Sequence, residues 1–190
     1  MLINAYGEEK GGIILHDAEK ILYTEYSRIN DRGSKAVRLH KKKYIFPSYV
    51  CYTAMIKAGI PQTEASNLAK EQLCKYSDRS VRFFKKLSNK SYAYKFIRTI
   101  LNFALKLMFP KQGWSIEKVE NSKFCYKFNM KSCLYLEELT ELGVPELCAI
   151  FCYTDVVNFT QLSPAVIFTR KNTLADGSNK CDFCFEKGTV

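Results

Sequence analysis

Two segments of this chain carry residue types that could do chemistry. In the first, Cys148, Cys152, Asp155 and Phe159 recur at helical spacing, so a helix would place them on one face. Cys152 and Asp155 lie three apart and can touch. An aspartate among apolar neighbours is unusual, because a carboxylate is rarely buried without a partner. Structural ion pairs also bury carboxylates, so a cap or a lysine pair at Asp155 is an equal alternative. In the second segment, Lys180–Cys181–Asp182–Phe183–Cys184–Phe185 alternates like a strand. Cys181, Phe183 and Phe185 would point one way, and Asp182, Cys184 and Glu186 the other. Cys181 therefore faces inward with two phenylalanines. A buried thiol is usually an inert small hydrophobe. It becomes a nucleophile only where a base or a positive charge lowers its pKa.

Metal chemistry has weaker support. Cys181-x-x-Cys184 and Cys148-x-x-x-Cys152 have spacings found in zinc sites. Cys181 and Cys184 have opposite strand parity, however, and no knuckle composition surrounds them, so no metal and no cofactor is expected. His16 and His40 lack the spacing of a zinc helix. There is no Gly-x-Ser-x-Gly elbow, no Gly-x-Gly-x-x-Gly and no phosphate loop.

The elements that must position these residues fall into two blocks. Residues 1–12 read as a loose leader and 13–30 as an amphipathic helix. Helices are then expected over 48–58, 62–75, 78–88 and 91–108. After Gly113 the period changes. Residues 114–119 and 123–130 alternate as a hairpin, with Phe124, Tyr126, Phe128 and Met130 on one side. A short helix over 133–142 and a second from Pro145 to about Gln161 follow. Strands at 165–170 and 180–186 flank a turn at 173–179. Helices first and strands later argue for an α+β fold, a helical N-terminal half packed on a mostly antiparallel sheet. Residues 1–45 form a leader and helix, and 46–190 the main domain, together one compact unit.

The 190 residues are 47% hydrophobic and 25% charged, enough apolar material for a core and inconsistent with disorder. Eight cysteines are an even number, but a chain of this size needs no staples, and the N-terminus lacks a signal peptide. The thiols are read as reduced and the protein as cytoplasmic. The longest apolar stretch, Phe96 to Phe109, is interrupted by Arg98, Asn102 and Lys106 and is too short to span a bilayer. The net charge of +10 concentrates in Arg38–Lys43 and in Arg82, Lys85 and Lys86. Without a nucleic-acid-binding motif beside it, this reads first as a solvated basic face, with steering of a small anionic substrate as a middle position and nucleic-acid or partner binding as the less favoured third reading. A homodimer is an open option.

The second half resembles the L-2-amino-thiazoline-4-carboxylic acid hydrolase family. The matching stretches are Trp114, Met130–Tyr135, Leu142–Leu147, Phe151–Asp155 and Thr173–Phe183. The resemblance spans residues 45–187 and is strongest from 114 onward. The family often has a basic residue where Cys184 stands. The resemblance implies hydrolytic opening of a cyclic amidine-like thiazoline to an N-carbamoyl amino acid. It also implies similarity to vinyl-reductase-like ligand-binding domains, which keeps a non-catalytic sensor as the alternative. On this reading Cys181 is the nucleophile, supported by Cys152 and Asp155. Arg170 or Lys180 holds the substrate carboxylate, Asp155 or Asp182 relays protons, and Cys133, Trp114 and Asp182 contact substrate. A water activated by Asp155 is the rival mechanism.

Overall fold

The computed structural model describes residues 2–190. Helix α1 (Leu2–Ser27) is followed by α2 (Lys35–His40), a π-helical turn (Lys41–Ile45) and α3 (Phe46–Lys57). Helices α4 (Gln62–Leu87) and α5 (Ala93–Leu107) complete the helical half. Then come β1 (Trp114–Asn121), β2 (Cys125–Cys133), α6 (Leu134–Glu141), α7 (Leu147–Phe159), β3 (Val166–Thr169) and β4 (Cys181–Lys187). The fold is α+β, as the order of periodicities implied.

Two helical expectations change. Residues 2–12 are helical rather than a loose leader, with one kink at Gly7, whose φ of 77° breaks the helical path. The two helices expected over 62–75 and 78–88 are one. The two-residue gap left at Tyr76 and Ser77 is helical, and the Ser77 hydroxyl donates to the Leu73 carbonyl at 3.2 Å. Ser80 likewise donates to the Ser77 carbonyl at 2.8 Å. Serine satisfied this way stays in a helix instead of competing with it. Gly59, at φ 75°, ends α3 in the left-handed region that favours glycine, and Pro61 precedes the first turn of α4.

The four strands form one antiparallel sheet in the order β1-β2-β4-β3. Register pairs Tyr126 with Phe185, Phe128 with Phe183, and Met130 with Cys181. These six residues are buried on one face of the sheet. The Phe128 and Phe183 rings stack at 4.7 Å between centroids, 6° from parallel. Phe124 departs from the expected pattern. It precedes β2, is 60% exposed, and lies in the hairpin that Ser122 organises by accepting from the Phe124 and Cys125 amides. Helices α5 and α7 pack over the buried face, α7 through Phe159, which meets Phe168 and Phe185 edge-on or tilted.

The basic run is only partly a solvated face. Arg38 and Lys43 are exposed, but His40 and Lys41 are buried. The reason is helical phase: His40 and Lys41 lie three and four residues after buried Val37. Lys41 Nζ lies 2.5 Å from Glu138 Oε1, and Arg32 reaches the same oxygen at 3.1 Å and Glu137 at 2.8 Å. Removing one partner of such a buried pair strands the other charge. Glu138→Ala is expected to cost about 3–5 kcal/mol in urea unfolding, and Lys41→Met combined with Glu138→Leu to recover most of it.

Candidate functional site

A cavity of about 190 Å³ lies between the aromatic face of the sheet and helices α5, α6 and α7. Trp114, Phe128, Phe151, Phe159, Phe183 and Phe185 wall it. Its thiols and charged groups come from four places. Helix α7 contributes Cys148, Cys152 and Asp155, the residues after β3 contribute Arg170, β4 contributes Cys181, and the β2–α6 junction contributes Cys133. Thus Cys181, Asp155, Cys152, Arg170, Cys133 and Trp114, singled out in the sequence, come together. Lys180 and Asp182 do not line the cavity. Asp182 accepts from the Lys171 and Asn172 amides at 2.9 and 2.7 Å and from the Asn172 side chain at 2.7 Å, so its work is to pin the β3–β4 loop. It is on the outer face by strand parity.

Asp155 accepts a 2.8 Å hydrogen bond from Arg170 Nη1, while Arg170 Nη2 donates to the Cys152 carbonyl at 2.7 Å. The guanidinium is 4% exposed and also lies over the Phe183 ring, 5.1 Å from its centroid. Asp155 keeps 36% of its side-chain surface open and lines the cavity. Burial raises its pKa to about 6, and the charge and hydrogen bond of Arg170 hold it from going higher. The carboxyl group therefore changes protonation near pH 6.

The thiols differ from one another. Cys181 is buried, and its sulfur accepts from the Leu174 amide at 3.2 Å. Burial pushes it up to about 11, against the smaller opposing pull of that amide and Arg170. Cys133 is the N-cap residue of α6. Its pKa is lowered, first by the neighbouring Cys148 thiol, then by the backbone amides of Leu136 and Tyr135 against the effect of burial. Cys148 is raised in turn by the Cys133 and Cys152 thiols beside it.

His40 and Tyr135, not among the site residues expected from the sequence, also line the cavity. His40 Nε2 lies 3.0 Å from the Met108 carbonyl, and Nδ1 lies 2.8 Å from the Tyr135 hydroxyl. A carbonyl can only accept, so Nε2 carries the proton, and Nδ1 accepts from the tyrosine. Burial lowers the His40 pKa, which fits the neutral ring. Trp114 meets His40 edge-on at 4.8 Å. Spacing from Val37 was the signal that could have placed His40 inside; its lysine neighbours masked it.

The family model for L-2-amino-thiazoline-4-carboxylic acid hydrolase matches residues 38–185, most of the chain and all of the cavity-lining residues. The chain belongs to this family. No curated protein matches it. The match begins within α2 and ends in β4, so α1 lies outside it. No helix among the described residues is long and apolar enough to cross a membrane.

Because Arg170 lowers the Asp155 pKa, Arg170→Met should move the Asp155 titration upward from about 6. Carboxyl-carbon NMR across pH 4–9 reads this directly. An unchanged or lower midpoint would contradict the electrostatic role given to Arg170.

Proposed function

We propose that the cavity binds a small cyclic amidine bearing a carboxylate, of the 2-aminothiazoline-4-carboxylate kind, and opens its ring hydrolytically. The observation that carries this reading is the convergence of a lowered-pKa thiol, Cys133, with the Asp155 carboxyl group in one aromatic-walled cavity. The volume supports a single small ring, since drug-sized ligands occupy roughly 300–1,000 Å³. Aromatic walls limit water, which strengthens charge interactions within.

In the proposed sequence, the Cys133 thiolate adds to the ring carbon between nitrogen and sulfur. Protonated Asp155 supplies the proton as the carbon–sulfur bond of the ring breaks, releasing the substrate thiol. The amidine carbon is then bonded to Cys133 sulfur. Ionised Asp155 takes a proton from water, which adds to that carbon, and the Cys133 thiolate leaves. Water is the only co-reactant, and the product is an N-carbamoyl amino acid. Choosing Cys133 over Cys181 follows from their opposite shifts: a thiol held near 11 is almost wholly protonated at neutral pH. Cys181 and Cys152 then shape the pocket. Arg170 directs one N–H from each Nη to Asp155 and the Cys152 carbonyl, so it chiefly positions the carboxylate of Asp155. Its positive charge, with the net charge of +10, favours an anionic ligand. A water activated by Asp155 without a covalent step remains the competing route, favoured by the near-neutral titration of that group.

The test is turnover of 2-aminothiazoline-4-carboxylate with intact-mass detection of enzyme adducts. Cys133→Ser is expected to lose roughly 10³-fold or more in kcat, the scale at which loss of a covalent nucleophile is felt. Cys181→Ala should retain most activity. Full activity in Cys133→Ser would end the thiol mechanism and leave the water route.

The acid–base assignment has a definite sign. Below about pH 6 Asp155 is protonated, so ring opening proceeds but hydrolysis of the adduct slows. Above about pH 6 the ionised carboxylate hydrolyses the adduct but lacks the proton that ring opening needs, so a Cys133 adduct should accumulate at pH 5 and not at pH 8, and steady-state kcat should peak near 6. Asp155→Asn should lower kcat about 10²–10⁴-fold and remove that peak.

A further inference from the structure

On the outer face of the sheet, away from the cavity, Cys125, Cys184 and Glu186 converge. The register of β2 and β4 sets Cys125 opposite Glu186 and Lys127 opposite Cys184, so the two cysteines are diagonal neighbours on one face. Their sulfurs are 3.9 Å apart. One ligand atom from each of the three residues lies within 4.8 Å of the others. No other trio of His, Cys, Asp or Glu among the described residues comes this close, and the cavity thiols do not.

We propose that Cys125, Cys184 and Glu186 form a binding site for a borderline-soft divalent cation of the zinc class. Tetrahedral zinc with sulfur at about 2.3 Å holds two thiolates about 3.8 Å apart. The observed 3.9 Å matches that span without backbone movement. A disulfide would need the sulfurs to close to about 2.05 Å. Two sulfurs and one carboxylate oxygen select zinc-like ions and disfavour magnesium and calcium, which require oxygen ligands. Charge also balances. Two thiolates and a carboxylate carry three negative charges, and a divalent cation with the adjacent Lys127 ammonium neutralises them. Lys127 feels both thiols and Glu186, and its Nζ lies 3.8 Å from Glu120.

Burial gives the site a floor and an opening: Cys125 is buried, Cys184 half-buried and Glu186 exposed. The fourth position belongs to water on the solvent side. On binding, both thiols release their protons to solvent as the sulfur–metal bonds form, so affinity rises with pH. The ion would clip β2 to β4 from behind, where Phe128, Phe183 and Phe185 form the cavity wall on the opposite face. Neither cysteine pair suggested by sequence spacing makes this site. Cys125 and Cys184 are 59 positions apart and meet only through strand pairing.

The experiment is an anaerobic Co²⁺ titration of the reduced full chain, followed by Zn²⁺ displacement and by thermal unfolding with and without Zn²⁺. The expected result is one Co²⁺ per chain with a thiolate-to-cobalt charge-transfer band, and a higher unfolding temperature with Zn²⁺. Cys184→Ser and Cys125→Ser should each weaken binding at least about 100-fold, more than loss of an outer-sphere partner costs. Glu186→Gln, a conservative change at an exposed position, should weaken it about 10-fold, and Cys148→Ser should leave it unchanged. No charge-transfer band in the reduced protein overturns the proposal. So does a band that survives Cys184→Ser but is lost in Cys148→Ser, which would put the ion among the cavity thiols.

Discussion

The pairing of β2 with β4 is the constraint on which the rest depends. Setting Phe128 against Phe183 commits every second residue of both strands to the same face. A slip of β4 by one residue would turn Cys181, Phe183 and Phe185 to solvent and bring Asp182 and Cys184 inward. The stacked ring pair adds about 0.5–1.5 kcal/mol beyond area burial to the correct register. The same alternation separates two sets of thiols. Cys181 faces the cavity, whereas Cys125 and Cys184 face away from it, so one sheet carries different chemistry on its two sides.

Helix α7 supplies the opposite wall and the polar groups, and its aspartate is tolerable there only because Arg170 arrives from the end of β3. Burial and the guanidinium act on Asp155 in opposite directions. Neither alone would leave it titrating near neutrality: burial alone would keep it protonated, and the ion pair alone would keep it ionised. The Cys133 thiol has a comparable balance, with the Cys148 thiol and the first backbone amides of α6 lowering it and its own burial raising it. His40 and Tyr135 close the remaining polar demand by satisfying each other and the Met108 carbonyl. This matches the general rule that buried polar groups are tolerated when paired.

Much of the fold was readable in residue order. The change from a period of 3.6 to one of 2 after Gly113, and the inward set of β4, need only local pattern. What failed locally failed for identifiable reasons. The expected helices stopped at 75 and restarted at 78, because a serine's back-bond such as Ser77 to Leu73 cannot be seen in composition. His40 and Lys41 looked exposed because three lysines in a row mask a helical phase that buries two of the positions. Pro145 suggested a helix start, yet α7 begins at Leu147, with Pro145 contributing only its carbonyl to the Cys148 amide.

By itself, the sequence determined which thiols and carboxylates share a face, since helical and strand periods are properties of neighbours in the chain. It placed Cys148, Cys152 and Asp155 together, put Cys181 with the phenylalanines, and carried the pattern of its family. Only the tertiary structure decided how those faces meet. Arg170 reaches Asp155, the N-terminus of α6 falls at Cys133, and Cys125 lies beside Cys184 because separate elements dock there. Solvation and electrostatic fields depend on every atom within several ångströms, whatever its position in the chain. That is why one thiol is raised and another lowered in the same cavity.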